Sequence, residues 1–382
     1  MTEDLYPVGG DARDITRDPV VEGAKNVHVS SGWGSGASAP VKGEEILRVE
    51  DLTVGFPTED GLVQAVRGVS YSLHEREVLG IVGESGSGKS VSSMALMGLL
   101  PKTAKVTGKA IYRGKDVLTM SEQEQRSLRG RKVAMIFQDP MTALNPVYSI
   151  GDQLAEAVRS HEAISKKAAL KRAEEMLDLV GIPQPSQRLR NYPHEFSGGM
   201  RQRAMIAMAV INDPDIIIAD EPTTALDVTV QAQILEKLIE VKDAVNAAII
   251  LITHDLGVVA GMAHNVLVMY AGRPVELGST DDTFYGPRMP YTAGLLGSMP
   301  SMTGADSRLR PINGAPPSLI NLPSGCPFNP RCPLATEKCR EVEPILTLTD
   351  HHDHLAACHH WDRMAESEDP TAFFRAESED AL

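Results

Sequence analysis

Continuous apolar runs, rather than alternating ones, carry the middle of the chain. Val78-Leu79-Gly80-Ile81-Val82, residues 215–219 and residues 247–252 each read as a strand buried on both faces. That pattern predicts a parallel sheet covered by helices. Residues 132–137 form a further short apolar strand ending at Gln138-Asp139-Pro140. Upstream, Ile46-Leu47-Arg48-Val49 and residues 65–71 alternate apolar and polar positions, which predicts antiparallel strands. Between these two runs Gly55-Phe56-Pro57-Thr58 reads as a loop presenting an aromatic ring, and residues 106–118 read as more strand and turn.

The period lengthens between residues 149 and 180. Ile150, Leu154 and Val158 recur on one helical face, then Ala169, Ala173, Met176, Leu177 and Val180 on another. Pro183 and Pro185 close that stretch, and a third helix is expected from Ser197 through Met205, Ala209 and Val210. From Asp282 onward prolines punctuate a region of little periodicity. The expected organisation is a flexible tail over 1–43, an α/β domain over 44–282 with a helical insert at about 141–213, a loop-rich extension over 283–361, and a mobile acidic tail over 362–382.

Composition narrows this picture. The chain has 382 residues, 42% hydrophobic and 23% charged, with a formal net charge of −14. Those values are ordinary for a soluble globular protein. The acidic balance argues against nucleic acid as a partner, because phosphate contacts need clustered Lys and Arg. No run reaches the roughly 20 apolar residues of a membrane span, and the polar N-terminus lacks a secretory pattern. A cytosolic protein, or one held at a membrane by partners, is expected.

The chemistry gathers at strand ends. Gly83-Glu84-Ser85-Gly86-Ser87-Gly88-Lys89-Ser90 follows an apolar strand and precedes a helix-like run starting at Val91. Glycines let successive backbone N–H groups face phosphate oxygens, and the helix N-terminus adds its positive end. Lys89 is placed to reach the outer phosphates, and the Ser90 hydroxyl to join a Mg²⁺ shell. Ile216-Ile217-Ile218-Ala219-Asp220-Glu221 delivers two carboxylates at a strand's C-terminal end, where open α/β sheets bind ligands. Asp220 suits Mg²⁺ held through water, and Glu221 suits a base for water attacking the γ-phosphate. Phe56 is a candidate for stacking on adenine. Ser197-Gly198-Gly199-Met200 at a helix start forms a second phosphate-facing N-terminus, which suggests a nucleotide held by another subunit.

In order and identity these motifs resemble those of ATP-binding subunits of ABC transporters, over roughly residues 45–280. The resemblance implies a P-loop NTPase fold: a RecA-like α/β sheet core, an antiparallel β subdomain and an α-helical insert. It assigns Walker A to residues 83–90, the Q-loop glutamine to Gln138, and the signature to Ser197, Gly198 and Gly199. Walker B falls at Asp220, the catalytic base at Glu221, the D-loop at Ala225-Leu226-Asp227 and the switch histidine at His254. By the same resemblance Gln138 would sense Mg²⁺ or water and link to the insert, while His254 would contact the γ-phosphate and position water with Glu221. Two such subunits would sandwich two ATP molecules.

The variant Phe196-Ser197-Gly198-Gly199-Met200-Arg201-Gln202-Arg203 is similar to one ATPase of the oligopeptide/dipeptide/nickel importer group. So are residues 80–90 and 138–146. That group implies a second, different ATPase, two permease subunits and an extracytoplasmic binding protein. It implies a place at the cytoplasmic face of the cell membrane. Peptide import is the leading reading, with nickel or another small solute as the alternative. A soluble ABC ATPase acting on DNA or ribosomes is a reading of another class, and the compact insert, single cassette and acidic charge count against it.

Residues 312–358 resemble the C-terminal extension of the same group. All four cysteines fall here, as Cys326, Cys332, Cys339 and Cys358 with spacing C-x5-C-x6-C-x18-C. In a cytosolic chain such confinement favours a metal over disulfides. No C-x-x-C pair is present, a poor match for common zinc ribbons. Four thiolates suit a 4Fe-4S cluster, with Zn²⁺ as the alternative and free thiols or disulfides remaining. Its expected role is structural, pinning an extension that lacks a large core. His351, His352, His354, His359 and His360 near the last cysteine are expected on loops and the surface.

Overall fold

Buried β-branched runs set the architecture. In a computed structural model, residues 43–224, 226–299 and 312–374 are described, all within the unit Gly32–Leu382. The segment expected to be a flexible N-terminal tail lies, but for Gly43, outside them. Their strands are β1 (Glu45–Thr58), β2 (Gly61–His74), β3 (Val78–Val82), β4 (Lys105–Tyr112), β5 (Lys115–Asp116), β6 (Val133–Ile136), β7 (Ile216–Asp220), β8 (Ala248–Ile252), β9 (Asn265–Tyr270), β10 (Arg273–Ser279), β11 (Thr347–Leu348) and β12 (Leu355–Ala356).

The main sheet has the order β11-β12-β10-β9-β3-β8-β7-β6. Pairing is parallel from β9 through β3, β8 and β7 to β6, and antiparallel from β9 outward to β11. Every residue of β3, β6, β7 and β8 is buried, as continuous apolar runs require. A second sheet, β2-β1-β4-β5, is antiparallel. Because β3, β7 and β8 share one direction, the phosphate loop, the paired acids and Thr253-His254 all leave the sheet at one end.

The helical insert comprises Ile150–Arg159, Lys166–Leu179, Pro185–Arg188 and Gly198–Val210. Ser149, Ser165 and Ser197 cap three of these, each accepting from the N–H three residues on. Leu154, Val158, Ala173, Leu177 and Val180 fill its core against Ile206 and Val210. The helix Val228–Val245, capped by Asp227, is an element that the periodicity argument passed over.

Two expectations are corrected and a third is filled in. Residues 55–58 are not a loop: β1 continues through them, with Phe56 paired to Val63 and the turn falling at Glu59-Asp60. The extension, expected to lack a large core of its own, shares that of the cassette. Phe328, Cys326 and Cys339 pack into one cluster with Val268, Tyr270, Val275, Met289 and Tyr291, and β12 adds to the edge of β10. Finally, residues 361–374 are not loose. Trp361–Ala365 is helical with Met364 fully buried, and Phe373 and Phe374 pack with it near Ala293 and Leu334. Apolar anchors, not the surrounding acids, govern that stretch; residues 375–382 lie outside the described residues.

Candidate nucleotide site

The phosphate loop needs glycine for two separate reasons. Gly83, Gly86 and Gly88 have φ of 147°, 78° and 97°, in the region that side chains with a Cβ avoid. A Cβ on Gly83 would also stand 2.2 Å from the Met269 carbonyl oxygen, and one on Gly88 2.3 Å from that of Ala65. Lys89 opens the helix Lys89–Leu96, and its Nζ donates to the carbonyls of Gly83 (2.7 Å) and Glu84 (3.0 Å), wrapping the loop around the ammonium. Ser87 and Lys89 are buried, Ser90 is half-buried, and Ser85 and Gly86 are exposed.

Two polar groupings face this loop. Ser90 Oγ donates to Asp220 Oδ1 at 2.8 Å. Gln138 Nε2 and Thr224 Oγ1 both donate to Glu221 Oε2 at 2.9 Å, while His254 Nδ1 lies 3.4 Å from Glu221 Oε1. Glu221 has φ 47°, a left-handed conformation that costs a non-glycine residue on the order of 1–3 kcal/mol and recurs at functional sites. Its N–H is anchored to the Ile252 carbonyl at 2.8 Å. Thr224 was not singled out from the sequence, though a hydroxyl three residues after an acid is a local signal that was legible there.

The electrostatics are unbalanced in a useful way. Burial raises the Asp220 carboxyl above its usual range; Glu221 adds to the rise, and the Ser90 hydroxyl and Lys89 oppose it. Burial also lowers the Lys89 ammonium, against the pull of Glu221, Asp220 and Glu84. Three carboxylates act on one buried ammonium. A hydroxyl and a carboxylate 2.8 Å apart in such surroundings fit the hard-oxygen donor set of Mg²⁺.

The remaining candidates lie elsewhere. Ser197 caps its own helix and is exposed with Gly198; Gly199 and Met200 are half-buried. A Cβ on Gly199 would meet Val230 Cγ1 at 2.9 Å, so the signature helix packs tightly against the helix that Asp227 caps. Gln231 in that helix donates to Asp255, next to His254, at 3.0 Å. Ala225 of the expected D-loop lies outside the described residues. Phe56 is half-buried on β1, and its cross-strand partner Val63 lines a cleft beside the phosphate loop.

The four cysteines line one cavity together with Phe328, Leu334 and Pro344. Burial pushes the Cys326 thiol up to about 11 and the Cys358 thiol up to about 12. Among the described residues no three His, Cys, Asp or Glu side chains form a ligand set for a metal ion. The neighbouring histidines divide. His351 and His352 are exposed, while His360 bonds Thr336 Oγ1 at 2.9 Å. His354, expected at the surface, is instead buried, with its Nε2 2.8 Å from Glu276 Oε1.

Family models match the chain twice: ABC transporter over residues 66–224, and oligopeptide/dipeptide transporter, C-terminal region, over residues 275–339. The dipeptide transport ATP-binding protein DppD of Bacillus subtilis is 54% identical over 325 residues, covering 85% of this chain and 97% of that protein. The oligopeptide transport ATP-binding protein OppD of Salmonella typhimurium is 52% identical over 307 residues, covering 80% and 92%. OppD of Mycobacterium tuberculosis is 54% identical, but the chain spans only 51% of its length. Among solved structures, dimeric MJ0796, a bacterial ABC transporter cassette, superposes with TM-score 0.55 at 25% identity over 62% of this chain and 99% of that one. The cbiO1 cassette from Clostridium perfringens gives 0.54 at 27% identity, over 63% and 90%.

Proposed function

Since the chain belongs to the ATP-binding subunits of oligopeptide/dipeptide ABC importers, we propose that it binds and hydrolyses ATP to drive peptide uptake across the cell membrane. The observation that carries this reading is the meeting of Lys89, Ser90 and Asp220 with the Gln138–Glu221–His254 group at one end of the sheet. Residues 83–91 cradle the phosphates, and Ser90, Asp220 and Gln138 hold Mg²⁺. When bound, the ion supplies Lewis-acid neutralisation of phosphate charge. Glu221 accepts the proton of the attacking water. Thr224 and Gln138 hold Oε2, which leaves Oε1 facing His254. His254 lies within reach to orient that water.

Ser197, Gly198, Gly199 and Met200 are exposed or half-buried, and so can cover a nucleotide on a second ATPase subunit, a different chain in this reading. Two permease subunits and an extracytoplasmic binding protein complete the assembly. No helix among the described residues is long and apolar enough to cross a membrane; in this reading the permeases hold the subunit at the cytoplasmic face. The test is uptake of a labelled peptide by vesicles holding the full assembly. Uptake should require ATP inside and fall to background with Lys89→Ala; ATP-independent uptake, or preference for nickel over peptide, would overturn the reading.

The cysteine ring is proposed to hold a 4Fe-4S cluster. Four soft donors border a single cavity. Protein purified without oxygen should be brown and carry iron and sulfide. A colourless, zinc-loaded product would replace the cluster with the zinc alternative.

A further inference from the structure

Glu84, second residue of the phosphate loop, faces away from the Ser90–Asp220 pair and into the extension. Arg331 Nη1 and Nη2 donate to its two carboxylate oxygens at 2.7 and 2.8 Å, the bidentate geometry that makes charge-assisted bonds strong and directional. The Glu84 N–H donates to the Tyr291 hydroxyl at 2.8 Å. Arg331 is itself held on every side. Its Nε donates to the Asn313 carbonyl (3.0 Å), its Nη1 to the Tyr270 hydroxyl (3.3 Å), and its Cζ sits 5.9 Å from both the Tyr270 and Phe328 rings. Only 5% of its side chain is exposed, so this is a buried anchor.

A second observation stands beside it. A cleft of about 390 Å³ is lined by Val63, residues 84–87, Tyr270 and Ala271 together with residues 316–320 of the extension. That size is in the range of small-molecule sites. Its lining therefore joins the phosphate loop itself to a segment outside the ATPase cassette.

We propose that the C-terminal extension is a working part of the nucleotide site, with Arg331 positioning the phosphate loop through Glu84 and residues 316–320 walling the cleft that receives the nucleoside end of ATP. The proposal rests on the ATPase reading above. Arg331 does not touch substrate in this scheme. It fixes the backbone from which the phosphate-facing N–H groups project, so its loss leaves the Glu84 carboxylate unpaired and the loop less ordered. The arc Asn329–Arg331 lies between Cys326 and Cys332, so whatever fills the cysteine cavity also sets where the guanidinium stands.

The test is equilibrium binding of a fluorescent ATP analogue to the full chain, as wild type, Arg331→Ala and Arg331→Lys. Removing a charged hydrogen-bond partner should weaken binding about tenfold or more, and lysine, unable to bond in bidentate fashion, should fall between. In steady state the alanine variant should raise KM for ATP with kcat largely kept; general misfolding would lower kcat through the active fraction instead. Hydrogen exchange on the unmodified protein removes dependence on how the variants fold: MgATP should slow exchange at the amides of Ser318, Leu319 and Ile320. Equal affinity in all three proteins, or no ATP-dependent protection at those amides, would overturn the proposal. Failure of the wild type to bind ATP would instead strike the ATPase reading, and this proposal with it.

Discussion

Glu221→Gln is expected to lower steady-state ATP hydrolysis by about 10² to 10⁴-fold, the usual contribution of a positioned general base. Nucleotide affinity should stay near that of the wild type. The substitution keeps the shape of the side chain, and its amide can still accept from Gln138 and Thr224 through the oxygen. What it removes is the lone pair that takes a proton on the His254 side. Because the backbone N–H of residue 221 remains bonded to Ile252, the left-handed turn should survive. Single-turnover hydrolysis and analogue binding measured on the same preparation check both halves. Unchanged turnover would remove Glu221 from the role of base.

The second large effect concerns folding. His354→Ala should cost about 1–3 kcal/mol, the usual penalty for taking a hydrogen-bond partner from a buried polar group. Glu276 is fully buried, and its Oε1 accepts from His354 Nε2 and from the Arg288 N–H, while Oε2 has no hydrogen-bond partner. Truncating the histidine leaves a carboxylate in the sheet with a single donor. His354→Gln, which retains a donor, should recover part of the loss. Urea unfolding of the three proteins measures both changes, and an alanine variant within 1 kcal/mol of wild type would show that water or a neighbour replaces the imidazole.

The nucleotide site was largely legible from sequence because its chemistry is local. Glycine spacing, an apolar strand before the loop and acids at a strand end are each written within a few consecutive residues. Phe56 shows where that reasoning fails. Gly55 and Pro57 are loop signals, yet cross-strand pairing with Leu62 and Val63 carries β1 through them. Arg331 marks another limit. It meets Glu84 across 247 positions, and no periodicity encodes a contact of that separation. His354 was misread for a related reason: a histidine among histidines and acids has a surface signature, and only its approach to β10 buries it. The extension's proline-rich sequence likewise hid that its aromatic and sulfur side chains complete a core begun by β9 and β10.

That shared core has a consequence on the ribosome. Tyr270 and Val275 emerge roughly 90 residues before Met364, the buried anchor of the helix Trp361–Ala365. At roughly 5–20 residues per second, that interval is on the order of 5–20 s. For the part of it before Phe328 and β12 emerge, the edge of β10 that β12 will occupy and the aromatic cluster that Phe328 will close are open to solvent. An unpaired strand edge beside exposed rings is a surface that chaperones bind and that nascent chains stick by. Maturation of the cassette thus waits for the extension to be made, and a message truncated after the last ATPase motif would release a chain with its sheet unfinished.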